Sequence, residues 1–418
     1  MVLEIKISNF YSIKEEVILD FRGANINTQK ARSLNRNTFD FDKTKILKAV
    51  AIYGANASGK TNIIKAIRFC HSMIFQSHGH NENVGLNVSP FKFNGYSKKP
   101  STYFIRFVSN NIEYEYSFSL TKTEIITESL YYYPKGRIAK IFTRDERLSN
   151  TKGGKYSFGS AIKRPLDVAE NTSNKTLYIS RASQLDREIP KEIFNYFYSN
   201  FILGYRGFNA QNIEILFAEN KATLLHALKI ADSDIIGIDI KKEVKSGKNV
   251  KADFITSTAS IEDVEQEHLK ITTYHKSSPK IPFDFFKEES AGTQKLFFIM
   301  LTILDIIKHD KILLIDEIGE SLHTAIIEYI IELFNAGDNA QLIYTTHNTN
   351  LLDLNKLRKD QVYFVNKKKD ASTDLYSLYD YSDFRDTMDV EKAYLQGRFD
   401  AVPFVDDSAY NLDTIING

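Results

Sequence analysis

The chain has 418 residues, 43% of them apolar, which is enough to bury a real core and to build two or three domains of ordinary size. Lys+Arg number 54 against Asp+Glu 53, and a net charge of +1 excludes a whole-chain polycation or an acidic tail; any nucleic-acid contact must come from a local patch. Cys70 is the only cysteine, which excludes an intramolecular disulfide and points to a reducing, cytoplasmic setting.

The opening MVLEIKISNF lacks a basic segment followed by an apolar signal core. The longest apolar run, Leu296 to Leu304, is cut by Asp305, short of the ~20 residues that a membrane span requires, so no membrane association is expected. Residues 2–9 and 15–21 alternate as strands do, and 46–53 (ILKAVAIY) form a nearly continuous apolar run suited to a buried, mostly parallel sheet. A glycine loop and a helix at about 60–76 follow. From about 100 to 160, aromatic and β-branched strands split by polar turns predict an antiparallel meander inserted into an α/β core. Residues 190–231 read as helical, and 234–275 as strands around a basic turn, KKEVKSGKNVK.

β/α alternation then resumes, with a helix at 291–308, strand KILLIDEI, helix 323–334, strand AQLIYTTH, helix 349–357 and strand QVYFVNK. There is no long heptad array and hence no coiled-coil arm. The fold class is therefore α/β: a core with a mostly parallel sheet, an N-terminal antiparallel β part and an inserted β-rich and helical lobe. The expected division is 1–95, the first half of the core; 96–285, the insertion; and 286–418, the second half.

Gly54-Ala55-Asn56-Ala57-Ser58-Gly59-Lys60-Thr61 fits G-x-x-x-x-G-K-[ST] and lies directly after a buried strand, where it opens a helix. Its glycines let the loop close around phosphates, its backbone N–H groups and the helix N-terminus supply partial positive charge, and Lys60 adds a full charge near the β- and γ-oxygens. Thr61 is the expected hydroxyl ligand of Mg²⁺. Ile312-Leu313-Leu314-Ile315-Asp316-Glu317 is an apolar strand ending in two acids: Asp316 is expected to hold Mg²⁺ through water, and Glu317 to polarise the attacking water. His347 closes the next strand and is expected to contact the γ-phosphate of ATP.

The order of P-loop, Ser290-Ala291-Gly292-Thr293-Gln294-Lys295 opening an apolar helix, hhhhDE and a strand ending in histidine resembles the ABC-type heads of the SMC, RecF and OLD ATPases. The resemblance implies that Ser290 and Gly292 form the signature, which acts in trans on ATP held by another protomer, and hence a homodimer or larger homo-oligomer. The segment departs from Leu-Ser-Gly-Gly-Gln, and the following Ser321-Leu322-His323 carries histidine where many relatives have aspartate.

More narrowly, Ile7-Ser8-Asn9-Phe10-Tyr11-Ser12-Ile13, Pro90-Phe91-Lys92-Phe93 and Tyr394-Leu395-Gln396-Gly397-Arg398-Phe399-Asp400-Ala401-Val402-Pro403 resemble the bacterial AAA15-like ATPases, including RloA and AbiLi. Those relatives imply a phage-defence, abortive-infection role beside a separately encoded effector. Too few residues follow His347 for a nuclease domain of about 100 residues, so a nuclease-like effector is expected on another chain. The alternative is a RecF- or SMC-like DNA-maintenance ATPase, with Lys241 to Lys251 and Lys367-Lys368-Lys369 as candidate phosphate contacts. A transporter nucleotide-binding subunit is disfavoured by the β insertion.

Overall fold

The computed structural model describes the chain except residues 81–82, 84, 150–153, 205–209, 232–233, 254–257, 321, 386, 403–407, 409–413 and 417–418, and except the side chains of 210–212 and 245–267. Ser321 and Pro403 thus lie outside the described residues. The fold divides into two units: Met1–Gly204, Asp310–Glu320 and Ile331–Gly418 form the first, and Tyr205–His309 with Ser321–Ile330 the second.

The first unit holds a six-stranded core sheet in the order Phe201–Leu203, Ile312–Ile315, Gln341–Thr346, Ala49–Gly54, Val362–Lys367, Thr373–Ser377. The first five strands run parallel and the last antiparallel. The strands 49–54, 312–315 and 341–346 are buried at every position, which is why the first two read as apolar runs rather than alternations. Tyr344 stands opposite Ala51 and Ile315 opposite Tyr344, so the carboxyl ends of the three motif-bearing strands come level at one edge.

A seven-stranded antiparallel sheet completes this unit, in the order 156–158, 139–145, 125–132, 112–120, 101–109, 2–8, 17–20. Here Ile5 faces both Leu19 and Ile105 across the ladder, and the sheet alternates one buried face with one partly wet face. The meander at 101–158 therefore extends the N-terminal sheet and shares its unit; the boundary expected at 95 does not separate compact units. The side-chain amide of Gln341 joins the two sheets: Val2 N–H donates to its Oε1 at 2.6 Å, and its Nε2 donates to Val2 O at 3.0 Å and Leu47 O at 3.2 Å. The C-terminal segment packs on the core, with Phe399 stacked on Phe364 at 4.7 Å and Tyr394 on Phe364 at 5.6 Å.

In the second unit, helices Ala210–Ile230 and Ala291–Lys308 accompany a three-stranded sheet of 235–253, 258–275 and 278–284. The basic stretch expected as a turn is instead the interior of the 235–253 strand. Its register sets Val244 opposite Glu267, Ser246 opposite Glu265, Lys248 opposite Asp263 and Asn249 opposite Glu262.

Two further expectations differ. The helical stretch 190–231 is broken by the strand Phe201–Leu203, whose three residues are too short to show a period. The expected helix at 349–357 is a 3₁₀ turn at Thr349–Leu351: Asn348 Oδ1 accepts from Asn350 N–H and Asp353 Oδ1 from Asn355 N–H, local bonds that compete with helix propagation.

Candidate functional site

Strand Ala49–Gly54 delivers the chain into the loop 54–59, and Gly59, at φ 115°, caps helix Lys60–Gln76. Ala57 also takes a left-handed backbone, φ 61°. The glycines of the motif are sterically required: a Cβ on Gly54 would stand 2.5 Å from Val365 O, and one on Gly59 would stand 2.0 Å from Thr373 Oγ1. Lys60 is buried and donates to Gly54 O at 2.8 Å and Ala55 O at 3.1 Å, which folds its ammonium back over the loop. Burial holds its pKa below the ordinary lysine value, against the pull of Glu317 and Asp316.

The acids arrive on strand Ile312–Ile315. Asp316 Oδ1 accepts from Thr345 Oγ1 at 2.8 Å and lies 3.4 Å from Thr61 Oγ1. Glu317 takes a left-handed backbone, φ 53°, and its N–H donates to Thr345 Oγ1 at 2.8 Å. His347, one residue past strand Gln341–Thr346, has Nε2 3.0 Å from Glu317 Oε1 and 3.1 Å from Lys60 Nζ. A carboxylate only accepts, so Nε2 carries the hydrogen toward Glu317, while the Lys60 ammonium stands 3.1 and 3.3 Å from the two ring nitrogens. Burial and the nearby Lys60 charge keep the imidazole pKa below 6.5, with Glu317 opposing.

These groups line a cavity of about 1040 Å³ bounded by residues 55–62, Glu317, Gly319, Glu320 and 346–348. The structure thus brings Asn56, Ala57, Ser58, Gly59, Lys60, Thr61, Glu317 and His347 to one space, with Asp316 and Gly54 bonded to members of that lining. Ser290 and Gly292 are not among the lining residues; they belong to the second unit, where Ser290 Oγ caps helix Ala291–Lys308 by accepting from Thr293 N–H at 3.1 Å and Gly292 has only Ser290 Oγ within 4 Å of a would-be Cβ.

The residues fit a nucleoside triphosphate with Mg²⁺. The cavity has the volume of a cofactor site, and the Ser58 hydroxyl is buried with no hydrogen-bond partner, an unmet polar group beside the loop. Thr61 and Asp316 supply a hydroxyl and a carboxylate at one point, the hard oxygen donors Mg²⁺ takes alongside phosphate and water. Among the described residues no group of three or more His, Cys, Asp or Glu is placed to hold a metal ion alone, as a phosphate-shared Mg²⁺ does not need one. No described helix is long and apolar enough to cross a membrane.

The sequence reading missed the lining residues Asn62, Gly319, Glu320 and Asn348, and it missed Thr345, which bonds both to Asp316 and to the Glu317 backbone and whose only signal was a polar pair, Thr345-Thr346, closing a strand that is buried throughout.

No curated protein matches the chain. Among solved structures it is similar to an SMC head bound to the C-winged helix domain of ScpA, at 16% identity and TM-score 0.40 over 94% of this chain and 99% of that one. It is also similar to the SMC head domain from Thermotoga maritima, at 12% identity and TM-score 0.40 over 90% and 98%. The profile of the family described as "AAA domain, putative AbiEii toxin, Type IV TA system" matches residues 49–353, from the P-loop strand past His347. The chain belongs to this family of AAA P-loop domains.

Proposed function

We propose that the chain binds ATP with Mg²⁺ and hydrolyses it, and that it serves as the ATPase sensor of a bacterial phage-defence system. The observation that carries the ATPase reading is the convergence of Lys60, Glu317 and His347 on one cavity, with Asp316 beside its Thr61, from the ends of three neighbouring strands. Lys60 and the loop amides would hold the β- and γ-phosphates, while Thr61 and Asp316 would hold the metal. Bound Mg²⁺ would neutralise charge on the phosphate oxygens. Glu317, anchored through its N–H to Thr345, would orient the attacking water, and His347 would steady that carboxylate from the side.

Ser290 and Gly292 at the start of helix Ala291–Lys308 would complete the site of a second copy, making the working species a homodimer or larger assembly. Two triphosphates buried between protomers favour a closed state over an open one, which is what a nucleotide-controlled switch requires. The defence role is supported by the resemblance to RloA- and AbiLi-like ATPases and by the family's AbiEii description, and the effector would be a separate, nuclease-like chain.

The test is direct. Purified protein with Mg²⁺ should release phosphate from ATP, and cells carrying the chain with its neighbouring genes should resist phage only when Lys60 and Glu317 are intact. Absence of both nucleotide binding and phosphate release would sink the ATPase reading; protection by a Lys60→Ala chain would sink the sensor role.

A further inference from the structure

Three side chains outside the nucleotide-binding motifs hold the P-loop in place. Asn62, in the first turn of helix Lys60–Gln76, donates from Nδ2 to Ser12 Oγ at 2.6 Å. Ser12 lies in the tight turn after strand Val2–Ser8, and its Oγ is 2.6 Å from Thr373 Oγ1. Thr373, first residue of the strand Thr373–Ser377, donates from Oγ1 to Ser58 O at 2.9 Å. The backbone closes the same junction, with Thr373 N–H donating to Ser12 O at 2.7 Å.

The direction of each bond follows from counting hydrogens. Thr373 spends its one hydroxyl hydrogen on the Ser58 carbonyl, so Ser12 must donate to Thr373, and the lone pairs left on Ser12 Oγ receive Asn62. The bonds form a relay that runs one way, Asn62 to Ser12 to Thr373 to Ser58, and each polarises the next. Its end point is the peptide between Ser58 and Gly59. That peptide is trans and planar, so fixing its carbonyl toward Thr373 turns the Gly59 N–H to the opposite side. Gly59 lines the cavity, and no side chain larger than hydrogen fits there because Thr373 Oγ1 occupies the space.

We propose that Thr373, backed by Ser12, is a positioning residue for phosphate binding: its hydroxyl sets the orientation of the Gly59 N–H and thereby the affinity of the loop for the triphosphate. This rests on the reading that the cavity holds ATP. The arrangement also ties the P-loop to the turn 367–372, where Asp370 pairs with Lys14 at 2.9 Å and Ser372 donates to Asp370.

The experiment measures ATP affinity, KM and kcat for the full chain and three variants. Thr373→Val keeps the volume but leaves the buried Ser58 carbonyl without its donor, and should weaken ATP binding about tenfold, raising KM with kcat within about twofold. Thr373→Ser keeps the hydroxyl and should restore binding to within about twofold of wild type. Ser12→Ala cuts the relay one bond earlier and should give an intermediate loss, which also serves if Thr373→Val does not fold. Wild-type affinity in Thr373→Val or Ser12→Ala would overturn the proposal, as would a folded Thr373→Ser as defective as the valine variant. A wild-type chain that binds no ATP would instead remove the underlying reading of the cavity.

Discussion

His347 Nε2 lies 3.0 Å from Glu317 Oε1, and the same imidazole meets the Lys60 ammonium, so one neutral ring bridges a carboxylate and a cation in the candidate site. Burial and Lys60 place the His347 pKa below its ordinary 6.5 in the folded chain. In the window between that lowered value and 6.5 the unfolded chain binds more protons, so folding stability rises with pH there and is lost as pH falls through it. His347→Asn should flatten this dependence. Thermal midpoints of both proteins at a series of pH values from 5 to 8 check it; parallel curves would refute the assignment of a depressed imidazole.

Glu317 and Lys60 should separate binding from turnover. Glu317→Gln removes the carboxylate proposed to orient water but leaves the proposed phosphate cradle, so phosphate release should drop by about 10²-fold or more while ATP affinity stays near wild type. Lys60→Ala removes a charge proposed to act on ground and transition states alike and should lower both. Rapid filtration with labelled ATP, beside a phosphate-release assay, reads the two effects independently. Turnover at the wild-type rate in Glu317→Gln would remove that residue from the water-orienting role.

If Ser290 and Gly292 complete a second protomer's site, Lys60→Ala and Ser290→Arg chains, each inactive alone, should regain partial activity when mixed, because one composite site in the mixed dimer keeps an intact loop and an intact signature. Turnover per subunit should also rise with protein concentration. Concentration-independent hydrolysis by a demonstrated monomer, with no rescue on mixing, would end the shared-site reading and leave the P-loop assignment standing.

A stability prediction comes from the antiparallel sheet. Glu128 and Arg144 are fully buried, 3.8 Å apart, and Glu128 also accepts from Tyr178 N–H at 2.6 Å, Ile179 N–H at 3.0 Å and Tyr116 Oη at 2.9 Å. Glu128→Ala leaves two buried amides unpaired and takes one of two carboxylates from Arg144, which keeps Glu146 at 2.6 Å, and should cost about 2–4 kcal/mol. Tyr116→Phe removes one neutral donor and should cost about 1 kcal/mol. Urea denaturation of both variants ranks them; equal midpoints would show that the carboxylate is not the anchor of the start of helix Tyr178–Gln184.

The sequence made legible what rests on short-range rules. The apolar runs at 49–54, 312–315 and 342–344, with the residues that end their strands, announced both the parallel sheet and the cavity, because a strand buried on both faces has no room for alternation. What it hid depends on partners distant in the chain. Thr373 meets Ser58 across 315 residues and Gln341 meets Val2 across 339, and neither polar residue carries any local mark of that role. The basic stretch 241–251 misled for the same reason: a run of lysines reads as an exposed turn until its partner strand is known.

Glu317 holds a backbone conformation, φ 53°, that glycine or asparagine adopts with less steric conflict than a glutamate. Replacing it with glycine should relieve about 1 kcal/mol of that conflict. An engineer who selected variants of this chain for heat resistance alone would therefore be drawn toward the residue proposed to orient water, and would harvest sturdier proteins that no longer turn over. Any thermostability screen on this scaffold needs an activity readout alongside it, or position 317 must be held fixed.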